Sequence, residues 1–305
     1  MMTNFLAVTW DVDPVFFRIG SFEVMWYGLC WMLAILGGAL FFINFGKREH
    51  LNPKFADTIF WWGTLATIIG ARLGHCFFYE PEYYFTHPLE ILNIRQGGMA
   101  SHGAAVGLLL GLWGFSRQCK LPVIWSLDRI MIPVTVGGAA VRFGNLVNSE
   151  VYGGPTTLPW GFEFVRDSQW LANSQGGLPV HPTQIYEAVC YLITFAILVF
   201  MYYKMDEGRR RPGAIFGVGL IGVFLTRFVI EFIKNVQVEE EVRMIETIGI
   251  NIGQILSIPF ILLGIFMVVW PYTKYRFELN PNRWPGLRRW EPGKEKSKNK
   301  KKRVI

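Results

Sequence analysis

The stretch V-R-F-G-N-L-V-N-S-E-V-Y-G-G at 141–154 places Arg142, Asn145 and Ser149 at i, i+3 and i+7, on one face of a helix. Asn148 and Glu150 follow before the break at Gly153 and Gly154. A guanidinium flanked by amides at the end of an apolar helix suits a phosphate, because its planar fork donates paired hydrogen bonds. The same residues would also suit an arginine that snorkels to an interface under an Asn/Ser cap. His102 sits in Q-G-G-M-A-S-H-G-A, where glycines let backbone and ligand approach closely. With an ordinary pKa near 6.5 it could act as a general base, or serve as a hydrogen-bonded interface histidine. Arg227 and Glu231, spaced i, i+4 in T-R-F-V-I-E-F-I-K, can pair with each other, or Glu231 can aim Arg227 at a ligand. Arg72 in G-A-R-L-G-H is open in the same way. His181 opens H-P-T-Q-I-Y-E, in which a proline at the first helical position marks a helix start, with Gln184, Tyr186 and Glu187 on its first turns.

Several chemistries have no residues to carry them. The chain has no H-E-x-x-H helix, no Walker A loop, no G-x-S-x-G elbow and no paired-aspartate phosphotransferase motif. Its four cysteines are scattered without a C-x-x-C, so neither a disulfide nor a zinc site is expected. The expected site is therefore basic, free of metal and without a cofactor, and an anionic lipid fits it better than a nucleotide does.

The elements that position these residues follow from composition. Of 305 residues, 51% are hydrophobic and 17% charged, well short of the roughly 25% charge of soluble domains. Twelve Trp and 25 Phe suit the aromatic belts of a membrane protein. The net charge of +7 is supplied by Lys294, Lys296, Lys298, Lys300, Lys301, Lys302 and Arg303 alone, so it is no nucleic-acid signal. Residues 1–21 lack the basic start and cleavage site of a signal peptide and read as a short amphipathic lead-in on the membrane.

The fold class expected is an all-α polytopic membrane protein of about seven transmembrane helices with a small extracytoplasmic cap, N-terminus out and C-terminus in. Apolar spans fall at 24–44, 58–79, 100–116, 130–148, 183–203, 213–234 and 249–271. The organisation is a lead-in (1–23), four helices (24–148), a cap (149–182), three helices (183–272) and a polybasic cytoplasmic tail (273–305). The tail should be disordered and attracted to anionic headgroups. Loop 80–98 is expected to carry a short surface helix and to partner the cap. Gly103, Gly107 and Gly111 form a four-residue stripe that lets helices pack closely in lipid. Lys47, Arg48, Lys54, Arg117, Lys120, Lys204, 209–211, Lys274 and Arg276 mark one side as cytoplasmic. Alternating direction then brings Tyr27, His102, Gln184, Arg72, Arg142 and Arg227 within about 10 Å of the outer boundary. Arginines there are costly unless they face a shared cavity.

With those residues in view, the chain resembles the bacterial prolipoprotein diacylglyceryl transferases. The resemblance rests on W-Y-G at 26–28, G-A-R-L-G at 70–74, G-G-M-A-S-H-G-A at 97–104, R-F-G-N-L-V-N-S-E-V-Y-G at 142–153, H-P-T-Q-I-Y-E at 181–187, R-F-x-x-E-F at 227–232 and G-Q-I-L-S-I-P at 253–259. It implies a multi-pass enzyme of the bacterial inner membrane that moves diacylglyceryl from phosphatidylglycerol to the lipobox cysteine of a preprolipoprotein, releasing glycerol phosphate. It also implies that Tyr27, His102, Arg142, Asn145, Glu150, Gly153 and Arg227 are functional, with Arg72 and Glu231 in support. The chain departs from the family at Val223, where a tyrosine is frequent, and at Ala104. In this reading Arg142 and Arg227 clamp the phosphate, Asn145 donates beside them and His102 takes the thiol proton. A lipid transporter would need polar sites at the midplane and internal repeats, which the chain lacks. An envelope scaffold would not need arginines clustered with His102.

Overall fold

The computed structural model describes residues 7–20, 22–94, 97–235, 247, 249–269 and 279–291. The chain forms two compact units, Met1–Gly38 with Asp128–Phe277 and Ala39–Leu127 with Glu278–Ile305. Among the described residues there are seven long helices: α1 (Trp26–Arg48), α2 (Lys54–Phe78), α4 (Ser101–Cys119), α5 (Val123–Val147), α7 (Thr183–Tyr203), α9 (Ala214–Ile230) and α10 (Ile252–Val269). Short helices α3 (Pro81–Thr86), α6 (Trp170–Asn173) and α8 (Glu207–Arg210) lie in the connections. Helices α1, α5, α7, α9 (extended to Ile233) and α10 are long and apolar enough to cross a membrane. Helices α2 and α4, at the second and third expected spans, are not among those five.

The chain is mostly helical, in keeping with the expected fold class, and carries a few short strands. Strands β1 (Val8–Thr9), β2 (Val15–Ile19), β3 (Phe22–Met25) and β4 (Phe162–Glu163) form two small sheets, β2 antiparallel to β3 and β1 parallel to β4. The lead-in thus joins the connection between α5 and α7. Leu146, Tyr152, Phe162, Phe164 and Val180 form a buried core there, with Trp10 and Trp170 packed against it. A polar loop of this length needs such a core, because the backbone groups it removes from water must be paired.

Helix ends in the second unit are set by backbone chemistry. His50 and Lys120 take left-handed φ (56° and 54°) after α1 and α4. Each is followed by paired bonds back to the helix: His50 N to Lys47 O with Leu51 N to Gly46 O, and Lys120 N to Arg117 O with Leu121 N to Ser116 O. These are Schellman closures, which satisfy carbonyls the helix leaves unpaired. The glycine stripe of α4 packs on α2 as expected. A Cβ on Gly74 would lie 2.7 Å from Gly103 Cα, and one on Gly70 would lie 2.7 Å from Gly107 Cα. Only glycine allows that approach. The surface helix expected in loop 80–98 is α3, followed by a 3-10 turn at Pro88–Leu92. In the first unit, buried Asp128 caps α9 from another helix, accepting from Gly213 N (2.7 Å) and Phe216 N (2.9 Å). Of the tail expected at 273–305, residues 273–278 and 292–305, including the lysine run, lie outside the described residues. Residues 279–291 dock through Gly286 N to Lys120 O (3.1 Å) and Trp290 N to His50 O (2.8 Å).

Candidate active site

In the first unit, α5 ends in another Schellman closure: Ser149 N donates to Leu146 O and Glu150 N to Asn145 O, with Ser149 at φ 56°. Val151 is also left-handed at φ 61°, a genuine outlier for a β-branched residue, and such strain concentrates where the surroundings hold a functional geometry. The surroundings are α7: Gln184 Nε2 donates to Glu150 O (2.7 Å) and Thr183 Oγ1 to Val151 O (2.9 Å). The turn folds Glu150 back so that its Oε1 accepts from Asn145 Nδ2 (2.8 Å) and Asn148 Nδ2 (3.2 Å). Asn145 Oδ1 in turn accepts from Arg142 Nη1 at 3.3 Å. The spacing of 142, 145 and 150 thus corresponds to one connected network.

A second shell of charge was missed from sequence. Buried Glu187, on the second turn of α7, pairs its Oε2 with Arg142 Nε and its Oε1 with Lys234 Nζ, the latter at 2.6 Å. A carboxylate taken fully from water requires this doubled pairing. Lys234 also approaches Glu231 Oε2 at 3.5 Å. Of the two readings open for Arg227 and Glu231, no direct ion pair between them is found among the described residues, where Lys234 at i+3 approaches the Glu231 carboxylate. Glu231 packs over Gly253, where a Cβ would lie 2.8 Å from its Oε1. The Nε of Arg227 is buried and has no hydrogen-bond partner among the described residues. Tyr191, one turn beyond Glu187, lies beside both Arg142 and Arg227, and Tyr27 beside Arg142. Tyr27 packs on Gly144, where a Cβ would lie 2.8 Å from its Cδ2.

Gly153 ties this assembly together. Its N donates to His181 O (2.8 Å), Gly154 N donates to Ile233 O (2.9 Å), and Gly153 bridges to Lys234. A Cβ on Gly153 would meet His181 Cβ and Thr183 Cγ2, each at 2.8 Å. His181 is partly buried, which pushes its imidazole below the ordinary value. Its Nδ1 lies 3.4 Å from the Tyr186 hydroxyl. Among the described residues, buried Asn148 Oδ1, Ser149 Oγ and Gln184 Oε1 have no hydrogen-bond partner, like Arg227 Nε. Unpaired polar atoms are rare in folded interiors.

Arg72 and His102 belong to the second unit. Buried Arg72 spends its donors on the backbone of loop 80–98: Nε on Ile91 O (2.9 Å), Nη1 on Gly97 O (2.7 Å) and Gly98 O (3.2 Å), and Nη2 on Glu90 O (2.6 Å) and Asn93 O (3.1 Å). Its guanidinium also faces the Tyr84 ring at 4.9 Å. Ala100 N donates to Ala71 O at 2.9 Å, so G-G-M-A is fastened to α2 just ahead of His102. His102 is exposed in the first turn of α4, with no hydrogen-bond partner among the described residues. Among those residues no three His, Cys, Asp or Glu side chains converge as a metal would require.

Sequence comparison connects this arrangement to known proteins. The family described as prolipoprotein diacylglyceryl transferase matches residues 14–270. A phosphatidylglycerol–prolipoprotein diacylglyceryl transferase of Porphyromonas gingivalis is 44% identical over 273 residues, 88% of this chain and 96% of the relative. Proteins of the same name from Chloroherpeton thalassium and Tolumonas auensis are 37% and 36% identical, over 86% and 85% of this chain and 93% and 96% of theirs.

Proposed function

Because this chain belongs to the prolipoprotein diacylglyceryl transferase family, we propose that its arginine cluster binds the phosphate of phosphatidylglycerol while the diacylglyceryl group passes to a cysteine thiol. The chain is a membrane transferase of lipoprotein maturation, moving diacylglyceryl from phosphatidylglycerol to a prolipoprotein. The acceptor is the lipobox cysteine of the preprolipoprotein. Its sulfur bonds to the glyceryl carbon that carries the phosphate, the carbon–oxygen bond breaks, and glycerol phosphate leaves with the bonding pair. The product is a thioether.

Arg142 and Arg227 stabilise the charge that grows on the leaving phosphate, with Asn145 donating beside them. Glu150 and Glu231 orient the cluster, Tyr27 flanks Arg142, and Gly153 keeps Lys234 on Glu187. His102 accepts the thiol proton and returns it to solvent. Arg72 acts from a distance, by ordering the loop that leads into His102. Seven spans, an outward N-terminus and a cytoplasmic C-terminus place this chemistry at the outer leaflet of the bacterial cytoplasmic membrane. A reporter inserted near Ser168 should read extracytoplasmic and one after Arg211 cytoplasmic; the reverse would remove that placement.

The observation that carries the phosphate assignment is Arg227. Its Nε is buried without a hydrogen-bond partner among the described residues, near a tyrosine that also bonds Arg142. A guanidinium donor in that state is ready for an anion. The test uses purified protein, phosphatidylglycerol and a lipobox peptide, with mass spectrometry of the peptide. Arg227→Gln should lose both lipid binding and peptide mass gain. Wild-type lipid affinity in that variant would sink the assignment.

A further inference from the structure

The second unit carries a cleft that the transfer reaction does not use. It lies where α1 and α4 end and α2 begins, roofed by residues 281–291, with a volume of about 850 Å³. Lys54, Lys120, Arg288 and Arg289 line it against a single acid, Glu291. Lys54, Lys120 and Arg289 form no ion pair among the described residues. Uncompensated cations gathered in one concavity raise the local potential and attract an anion.

The cleft is built, not incidental. Its two anchors are backbone bonds, Gly286 N to Lys120 O and Trp290 N to His50 O, onto residues held left-handed by the Schellman closures of α4 and α1. Gly286 seats without a side chain, since a Cβ there would lie 2.9 Å from Lys120 O. Phe55, Leu121, Leu287 and Trp290 give the same wall an apolar part. Cations next to a tryptophan and aliphatic side chains, at the ends of membrane helices, match the boundary between headgroup and acyl chain. The volume suits a headgroup rather than a macromolecule.

We propose that this cleft binds the phosphodiester or phosphomonoester headgroup of an anionic phospholipid from the leaflet at that end of the helices, a site separate from the one that supplies the transferred group. By the distribution of basic loops that leaflet is the cytoplasmic one. The bound lipid fastens residues 281–291 over the ends of α1 and α4.

The test is photolabelling of the full chain in zwitterionic nanodiscs doped with a phosphatidic acid analogue that carries its photoreactive group beside the phosphate. Label should appear on peptides containing Lys120 or residues 281–291 and be displaced by unlabelled phosphatidic acid. Soluble glycerol phosphate should not displace it; equal displacement by glycerol phosphate would mean a site for a free phosphate and would overturn a lipid ligand. Lys120→Gln with Arg289→Gln should weaken labelling by roughly 30-fold, about five-fold for each cation removed. Transfer activity in detergent should stay at the wild-type level and reports that the variant is folded. If that variant does not fold, the salt dependence of the wild-type decides. Label that fades as ionic strength rises supports the site, and salt-independent label refutes it. Equal labelling by the corresponding phosphocholine analogue would also refute it.

Discussion

Glu187 Oε1 lies 2.6 Å from Lys234 Nζ, and its other oxygen holds Arg142 Nε. One buried carboxylate therefore fixes cations from α5 and from the turn after α9. Arg142 is held in one orientation while that pair stands, so under the proposed function its remaining donors are aimed before any lipid arrives. Preorganised donors act on a transition state without the cost of reorienting them.

Glu187→Gln should therefore damage transfer although Glu187 need not touch substrate. Removing its charge strands Arg142 and leaves Lys234 only its longer contact to Glu231, a loss of about 3–5 kcal/mol when the group is buried. Thermal unfolding should shift down and transfer should fall. The double variant Glu187→Gln, Lys234→Met removes one of those cations and should recover stability but not rate. Recovery of both would make Glu187 purely structural.

Phosphate binding and proton transfer should fail differently. Arg142→Gln keeps hydrogen bonding but loses the charge and the fork, so lipid affinity and turnover should fall together. His102→Gln should leave lipid affinity intact and lower turnover by roughly 10²–10⁴-fold. Raising pH past the ordinary thiol pKa, about 8.5, should restore part of the His102→Gln rate and none of the Arg142→Gln rate. Loss of lipid binding in His102→Gln, with no recovery in alkali, would move the base to Glu150 or Tyr27.

Gly153→Ala should inactivate without unfolding the spans. The added methyl meets His181 Cβ and Thr183 Cγ2 at 2.8 Å and pushes the chain off Lys234. Serine should be worse than alanine. Wild-type turnover in Gly153→Ala would show that the bridge to Lys234 has slack.

The cap should weaken in alkali. Tyr152, pushed up to about 12 by burial and by donating to Asp167, also accepts from Asn173 Nδ2 at 3.1 Å. A raised phenol contributes stability that is complete below its unfolded pKa, about 10, and lost as pH climbs toward 12. Trp10 and Trp170 pack on the same core, so their fluorescence should report its opening in that window. Tyr152→Phe should shift that transition and lower cap stability by about 1–3 kcal/mol at neutral pH. An unchanged alkaline profile in Tyr152→Phe would assign the transition elsewhere.

What could be read from sequence was what lay close in the chain. Arg142, Asn145 and Glu150 share one helix end, and their spacing alone brings them into a network. The glycine stripe of α4 was legible for the same reason, since it has a fixed period. Glu187 and Tyr191 were not assigned because they reach Arg142 only through the packing of α7 on α5. The available signal was a glutamate inside an apolar span, which demands a partner. Helical spacing left two readings open at Arg227, since i, i+4 permits a pair with Glu231 but cannot show that Lys234 competes for it. Two-residue strands such as β1 and β4 carry too little periodicity to be seen.

Arg72 has a consequence for how the chain is made. Its five carbonyl acceptors lie 18 to 26 residues further along, so they have not yet emerged when Arg72 leaves the ribosome. Until they do, the guanidinium sits in an apolar segment with nothing to neutralise its demand for hydrogen bonds. Helix α2 also waits for Gly103 and Gly107, which receive Gly70 and Gly74 so closely. The contacts of α2 are therefore complete only as a hairpin with α4, and a chain stopped before residue 98 lacks acceptors for Arg72 and the glycines that seat Gly70 and Gly74.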